Sequence, residues 1–361
     1  MKILHVETGR HLYGGAQQVV YLSNGLRQQE IDNILVCPPD SGVDHAARKA
    51  GIKVANLKCA GDYDLAFAFR LRQLVLSEKP DIIHCHSRRG GDFLGGLAAS
   101  GTDTPAVISR RVDNPESALI ANLRYRPFCR VIAISEAVAS ALLETGLDAD
   151  RLTVIRDAVD AGQFSTRPDH ESFRAEFGLS DSDIVAAAIA QLIPRKGHRY
   201  LLEAMAQIKA SHPDLRLIIF GQGPLETELR ERTVRLGLGG TVQFAGFRQD
   251  LDDYLACLDL LVHPALAEGL GVATLKAAAA GIPVVAFSAG GLREAVEDGK
   301  TGLLTPPKDV EALAAAMTEL AESPDLRRRF GDAGRARMQS EFSIHAMVDD
   351  HMQLYESVLN G

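Results

Sequence analysis

Four loops in this sequence combine glycine with charged or titratable side chains in patterns that suit phosphate chemistry. The stretch E-G-L-G-V-A-T-L-K, residues 268–276, reads as a glycine-rich turn opening a helix, which aims backbone N–H groups at an anion. Gly269 and Gly271 would each cost about 1 kcal/mol relative to alanine inside a helix, so they belong to the turn. Glu268 places a carboxylate at its start, and Leu270 and Val272 complete the turn before Lys276 brings an ammonium. The device recurs at residues 287–296, where Gly290 and Gly291 precede another helix pattern. In A-Q-L-I-P-R-K-G-H, residues 190–198, Lys196 stands at a helix start, as a point charge for phosphate or as a solvated lysine. In H-L-Y-G-G-A-Q-Q, residues 11–18, Gly14 and Gly15 make either an anion-binding turn or a plain strand-to-helix connection. In H-C-H-S-R-R-G-G-D, residues 84–92, His86 follows a strand end, where an imidazole orients or deprotonates a hydroxyl or is merely structural. Arg88 and Arg89 beside it suit an anionic acceptor.

These loops need strands and helices to hold them. Short apolar runs alternate with helical patterns throughout, as in parallel sheets covered by helices. Seven strand candidates fall at 2–6, 33–37, 53–57, 81–85, 105–109, 130–135 and 152–155, and six more at 184–190, 215–221, 242–246, 259–264, 282–287 and 301–305. The expected fold is α/β, with two Rossmann-like doubly wound domains facing a central cleft, because ligands of open parallel sheets bind beyond the strands' carboxyl ends. The expected boundaries are 1–163, 164–340 and a final helical segment 341–361, with the polar stretch 157–176 as the link.

Composition removes other classes. The 361 residues carry a net charge of -8, which gives no global basic field for nucleic acid. Five scattered cysteines without a C-x-x-C pair read as reduced core residues of a cytosolic protein. No apolar run approaches the ~20 residues that span a bilayer, and the first residues form a strand pattern and not a signal peptide. The expected location is the cytoplasm, with peripheral contact at the inner membrane face. Arginines gather in the first half, Arg110 among them, as a face for a phosphorylated glycolipid or as ordinary solvated surface.

In order and spacing, the motifs resemble the retaining glycosyltransferases of group 1, or family 4, with the two-domain GT-B fold. The resemblance covers almost the whole chain. It rests on G-G-A near the N-terminus, P-D-I-I-H-C-H, the 154–164 linker, P-R-K-G, F-G-Q-G-P from Phe220, H-P-x-x-x-E-G-L-G and A-A-G-I-P-V-V. It implies transfer of a sugar from a nucleotide donor, a UDP-sugar being expected, to a glycan or glycolipid hydroxyl, as in lipopolysaccharide or envelope synthesis. It implies no metal and no other cofactor. Carried over, Glu268 contacts the donor sugar, Lys196 neutralises the diphosphate with help from Gly14, Gly15 and the amides of 269–272, and His86 faces the acceptor side. Gly223 belongs to the F-G-x-G-P donor loop, Phe247 and Arg248 fall where members bind the nucleobase, and Arg88, Arg89 and Arg110 are acceptor candidates.

Three positions depart from the pattern. Gln191 stands where an arginine is common, Arg156-Asp157-Ala158 replaces P-N-G, and Lys276 replaces a second glutamate that accepts ribose hydrogen bonds. An ammonium has no acceptor. Lys276 therefore either restores charge missing at Gln191 or points into solvent. Rival readings are a nucleotide-sugar epimerase or phosphorylase of the same architecture, and a weakened sugar-nucleotide-binding protein. A dinucleotide oxidoreductase fails because F-G-Q-G-P-L-E lacks the third glycine of G-x-G-x-x-G.

Overall fold

Strands that read as unbroken apolar runs, such as I-V-A-A-A-I, are strands buried on both faces, and such strands pair in parallel. The computed structural model describes residues 1–86, 90–112, 116–164 and 168–361. It divides into two compact units, Met1–Ala158 with Ile344–Gly361, and Val159–Ser343.

The first unit holds β1 (Lys2–Val6), α1 (Gly14–Gln28), β2 (Asp32–Cys37), α2 (Gly42–Lys49), β3 (Lys53–Asn56), α3 (Leu65–Glu78), β4 (Ile82–Cys85), α4 (Gly91–Ala99), β5 (Ala106–Arg110), α5 (Ala118–Tyr125), β6 (Arg130–Ala133), α6 (Glu136–Glu144) and β7 (Leu152–Val154). Its sheet runs β3-β2-β1-β4-β5-β6-β7, with the order reversing beside β1. The second unit holds α7 (His170–Phe177), β8 (Ile184–Ile189), α8 (His198–Ile208), β9 (Leu215–Phe220), α9 (Glu226–Arg235), β10 (Val242–Gly246), α10 (Leu251–Tyr254), β11 (Leu260–His263), α11 (Val272–Ala279), β12 (Val284–Phe287), α12 (Leu292–Ala295), β13 (Gly302–Thr305), α13 (Val310–Glu322) and α14 (Pro324–Ser340). Its sheet runs β10-β9-β8-β11-β12-β13. The last helix, α15 (Ile344–Asn360), returns to the first unit.

The units divide between Ala158 and Val159, where the sequence reading set 163. Gln18, fully buried on α1, clamps Ala158 by donating to its carbonyl at 2.8 Å and accepting from its N–H at 2.7 Å. Val159 already belongs to the second unit, donating to the Phe342 carbonyl at 2.9 Å. The stretch read as a polar link also contains α7, which Asp169 caps by accepting from the Ser172 N–H and which buries Phe173 and Phe177. The Asp N-cap and the Phe pair at i, i+4 were the available signals.

Helix α15 lies on α1, adding Met347, Val348, Leu354 and Tyr355 to a core that includes Ile3, Leu22, Leu26 and Ile82. Their approach depends on Gly25, where a Cβ would sit 2.4 Å from Val348 Cγ2. Gly25→Ala should therefore destabilise the protein by about 1–3 kcal/mol through overpacking. In urea unfolding, G25A with V348A should cost less than the two single changes added together, and strict additivity would show that the helices do not meet here.

Candidate functional site

In the second unit the loops after β8 and β11 converge on Glu268. The first carries P-R-K-G as a short turn at Pro194–Lys196 that ends at Gly197 with φ of +71°. A side chain at Gly197 would place its Cβ 1.9 Å from the Pro264 carbonyl oxygen, so glycine is what lets the two loops touch. They are stitched by the Leu266 N–H donating to the Arg195 carbonyl at 2.8 Å, and by Arg195 Nη1 donating to the Ala267 carbonyl at 3.3 Å.

Glu268 Oε2 is shared by the Lys196 ammonium and by His263 Nε2, the latter at 2.9 Å. The three side chains are largely buried. Burial alone would raise the Glu268 pKa, but the hydrogen bond from His263 and the Lys196 charge overcome it and hold the carboxyl well below the usual range. Burial also lowers the His263 pKa, so a neutral imidazole donates its Nε2–H to the carboxylate. His198, buried close by, is pushed down to about 4 by burial, with the neighbouring His263 and Lys196 adding to the shift.

Behind Glu268 the chain turns through Gly269 and Leu270 to Gly271, which precedes α11 at φ +91° without any side-chain cap. The N-terminus of α11 thus keeps uncapped N–H groups beside Val272. The second glycine turn backs the first: the Gly291 N–H donates to the Glu268 carbonyl at 2.9 Å, and a Cβ at Gly291 would lie 2.0 Å from the Gly269 carbonyl oxygen. Gly223 has a packing reason of its own, since a Cβ there would meet the Leu192 carbonyl oxygen at 2.5 Å. Gln191 is exposed. Phe247 is 53% exposed, whereas Arg248 is bound to Glu176 and Asp250 and lies over the Tyr254 ring. Lys276 neither enters solvent freely nor joins Glu268. It donates to both oxygens of Asp252, at 2.9 and 2.7 Å.

In the first unit Gly14 and Gly15 open α1, again without a side-chain cap. A Cβ on Gly15 would lie 3.1 Å from Arg111 Cδ, and Arg111 pairs with the buried Asp157. His86 is only 4% exposed and belongs to a buried imidazole cluster. Its Nε2 lies 3.0 Å from His5 Nδ1, and its ring lies tilted against His84 with centroids 3.7 Å apart. His84 in turn bonds the Tyr355 hydroxyl at 2.6 Å and the Ser109 hydroxyl at 2.8 Å. One nitrogen from each of His5, His84 and His86 lies within 4.8 Å of the others, so this trio is the metal-capable cluster among the described residues. Both His84 nitrogens are engaged, and an ion would have to displace one of those bonds. Arg110 does not stand on an open face: it is 4% exposed, donates from Nε to the Val112 carbonyl and lies 4.0 Å from Glu116. Arg88 and Arg89 fall outside the described residues.

Sequence reasoning missed His263, Arg111 and His5 as members of these arrangements. H-P before E-G-L-G was the one visible signal for His263.

The ionised Glu268 should add stability above its unfolded pKa near 4.5 that fades as pH falls toward its depressed folded value. Glu268→Gln should lower the Tm at pH 7, by on the order of 2 kcal/mol in stability, and the gap to wild type should close below pH 4.5. Parallel Tm curves across that range would contradict the buried ion pair.

Residues 169–337 match the family model described as glycosyl transferases group 1, and residues 13–163 match glycosyltransferase family 4. The chain is 30% identical over 307 residues to a D-inositol 3-phosphate glycosyltransferase of Streptomyces scabiei, covering 76% of this chain and 68% of that one. It is 25% identical over 363 residues to the lipopolysaccharide core biosynthesis glycosyltransferase LpsE of Rhizobium meliloti, with 99% of each covered. A GDP-mannose-dependent monoacylated alpha-(1-6)-phosphatidylinositol monomannoside mannosyltransferase of Corynebacterium glutamicum is 35% identical over 210 residues, 55% of this chain and 54% of that relative, so the match spans about half of its length. Among solved structures, Anabaena HepE in complex with UDP and glucose superposes with a TM-score of 0.88 at 24% identity, covering 99% of this chain and all of that one.

Proposed function

The chain belongs to the group 1 glycosyltransferases, and we propose that it moves a sugar, with retained anomeric configuration, from a nucleotide-sugar to a hydroxyl of a glycan or glycolipid acceptor. The observation that carries this reading is the Lys196–Glu268–His263 centre at the uncapped start of α11. Cleaving the donor's glycosidic bond puts negative charge on the departing diphosphate and positive charge on the sugar ring. Lys196 and the amides of 269–272 suit the first, and the ionised Glu268 suits the second. Because Lys196 and the N-terminus of α11 can supply the positive charge, we read the transfer as metal-independent. Turnover should then survive EDTA.

A UDP-sugar is the donor we favour, supported by the neighbour solved with UDP-glucose. Phe247, exposed after β10, suits contact with the base. Arg248 reaches a donor only by leaving Glu176 and Asp250, and Lys276 only by leaving Asp252. We therefore read Lys276 as the residue that holds Asp252 in place. Lys276→Ala should change donor Kd by less than about threefold, and a tenfold loss would restore it to the donor site.

The acceptor class we favour is an envelope glycolipid, in line with the lipopolysaccharide-core relative. No helix among the described residues is long and apolar enough to cross a membrane. Yet α3 packs on α4 and α4 on α5, and these helices expose Leu65, Phe69, Phe93, Leu97, Leu119 and Leu123. Exposed Arg72 on α3 and Arg126 just after α5 suit anionic lipid headgroups. The protein should float with phosphatidylglycerol vesicles, less with phosphatidylcholine alone, and F69D/L123D should abolish flotation. No flotation of the wild type on either vesicle would contradict this.

A thermal-shift panel of UDP-, GDP-, ADP- and TDP-sugars tests the donor, and proton NMR of the product's anomeric centre tests retention. No shift with any donor, or an inverted product, would overturn the reading.

A further inference from the structure

The A-A-G-I-P-V-V motif, residues 279–285, closes the far end of α11. Gly281 ends the helix at φ +80°, and the Gly281 and Ile282 N–H groups donate back to the carbonyls of Ala278 and Ala277 at 3.0 and 2.8 Å. These bonds satisfy two of the four carbonyls that a helix leaves without an internal partner. The other two belong to Ala279 and Ala280. Arg335 of α14 meets both, donating from Nε to the Ala279 carbonyl at 3.4 Å and from Nη2 to the Ala280 carbonyl at 2.8 Å.

Glycines on both sides make that reach possible. A Cβ at Gly281 would lie 2.6 Å from Arg335 Nη2, and one at Gly331, a turn before Arg335 on α14, would lie 2.0 Å from the Gly281 carbonyl oxygen. The outcome is a helix with one end closed and the other open, since the start of α11 after Gly271 has no side-chain cap. Helix α13 is closed at both ends: Asp309 caps its start, and Arg327 donates to the Leu320 and Ala321 carbonyls at 2.6 and 2.8 Å. A cation at a helix C-terminus complements the macrodipole, and a fixed far end sets the direction in which the near end points. The eight residues of α11 span about 12 Å, so a group at the far end acts through the helix and not by contact with a ligand at its start. We infer that Arg335 is a positioning residue for the donor, holding α11 from behind so that the open amides of 269–272 meet the diphosphate. This rests on the reading of the α11 start as the part that meets the donor.

Hydrogen exchange of the ligand-free chain reads the hold itself and needs no donor. Peptides covering 272–280 should exchange about threefold faster or more in Arg335→Ala and at the wild-type rate in Arg327→Ala, which removes the same kind of bond from α13. Calorimetry with UDP, or with whichever of GDP, ADP and TDP binds the wild type, reads the link to the donor. Arg335→Ala should bind about three- to fivefold more weakly, Arg335→Lys should stay within about twofold, and Arg327→Ala should bind like wild type. Arg335→Gln, which drops the charge and keeps one amide donor, should lose about twofold and stands in if Arg335→Ala does not fold. Unchanged exchange in α11 would overturn the hold. Faster exchange with an unchanged Kd, or an equal loss in Arg327→Ala, would overturn the link to the donor. A wild type that binds none of the four diphosphates would overturn instead the donor reading on which the inference rests.

Discussion

A carboxylate taken largely out of water and kept ionised is the constraint on which the loops of the second unit depend. A buried Glu268 would protonate or unfold its surroundings unless partners met its charge. Lys196 and His263 do so from two different strand ends, the loops bearing them meet only where Gly197 leaves room for the Pro264 carbonyl oxygen, and Gly291 leaves room for the turn after β12 to back Gly269. The glycines of P-R-K-G and of the 290–291 turn are therefore packing requirements first. The start of α11 after Gly271 is left without a side-chain cap.

The first unit meets burial differently. It gathers neutral imidazoles, a phenol and a hydroxyl on the face of its sheet where α15 packs, with Tyr355 reaching His84. Nearby, Arg111 and the buried Asp157 form a pair that lies against Gly15. In both units the polar side chains sit just beyond or within the carboxyl ends of parallel strands, where the open ends of doubly wound sheets can present them to a ligand.

The strands and the glycine turns were legible in the sequence because each is encoded within a few residues. Runs such as 184–189 and the E-G-L-G turn announce themselves locally. What was not legible links distant positions. Lys276 and Asp252 are 24 residues apart, Arg111 and Asp157 46, and His5 and His86 81. No local pattern pairs them, and so Lys276 read as either a donor ligand or a solvated lysine, and its bond to Asp252 was not foreseen. His86 was read from its strand-end position alone, because its partner His5 on β1 was not visible. The unit boundary moved for the same reason, since the clamp on Ala158 comes from Gln18, 140 residues earlier. Helix α7 was different: its cap and its two phenylalanines were local, and the polar composition around them hid a short helix.

We propose that Lys196, held in readiness by Glu268, is the cation that meets the donor diphosphate. Titration calorimetry of the nucleoside diphosphate against wild type and Lys196→Ala, both checked for folding by circular dichroism, tests it directly. Affinity should fall at least tenfold, a loss of about 1.4 kcal/mol or more. An unchanged Kd in a folded Lys196→Ala protein would contradict it.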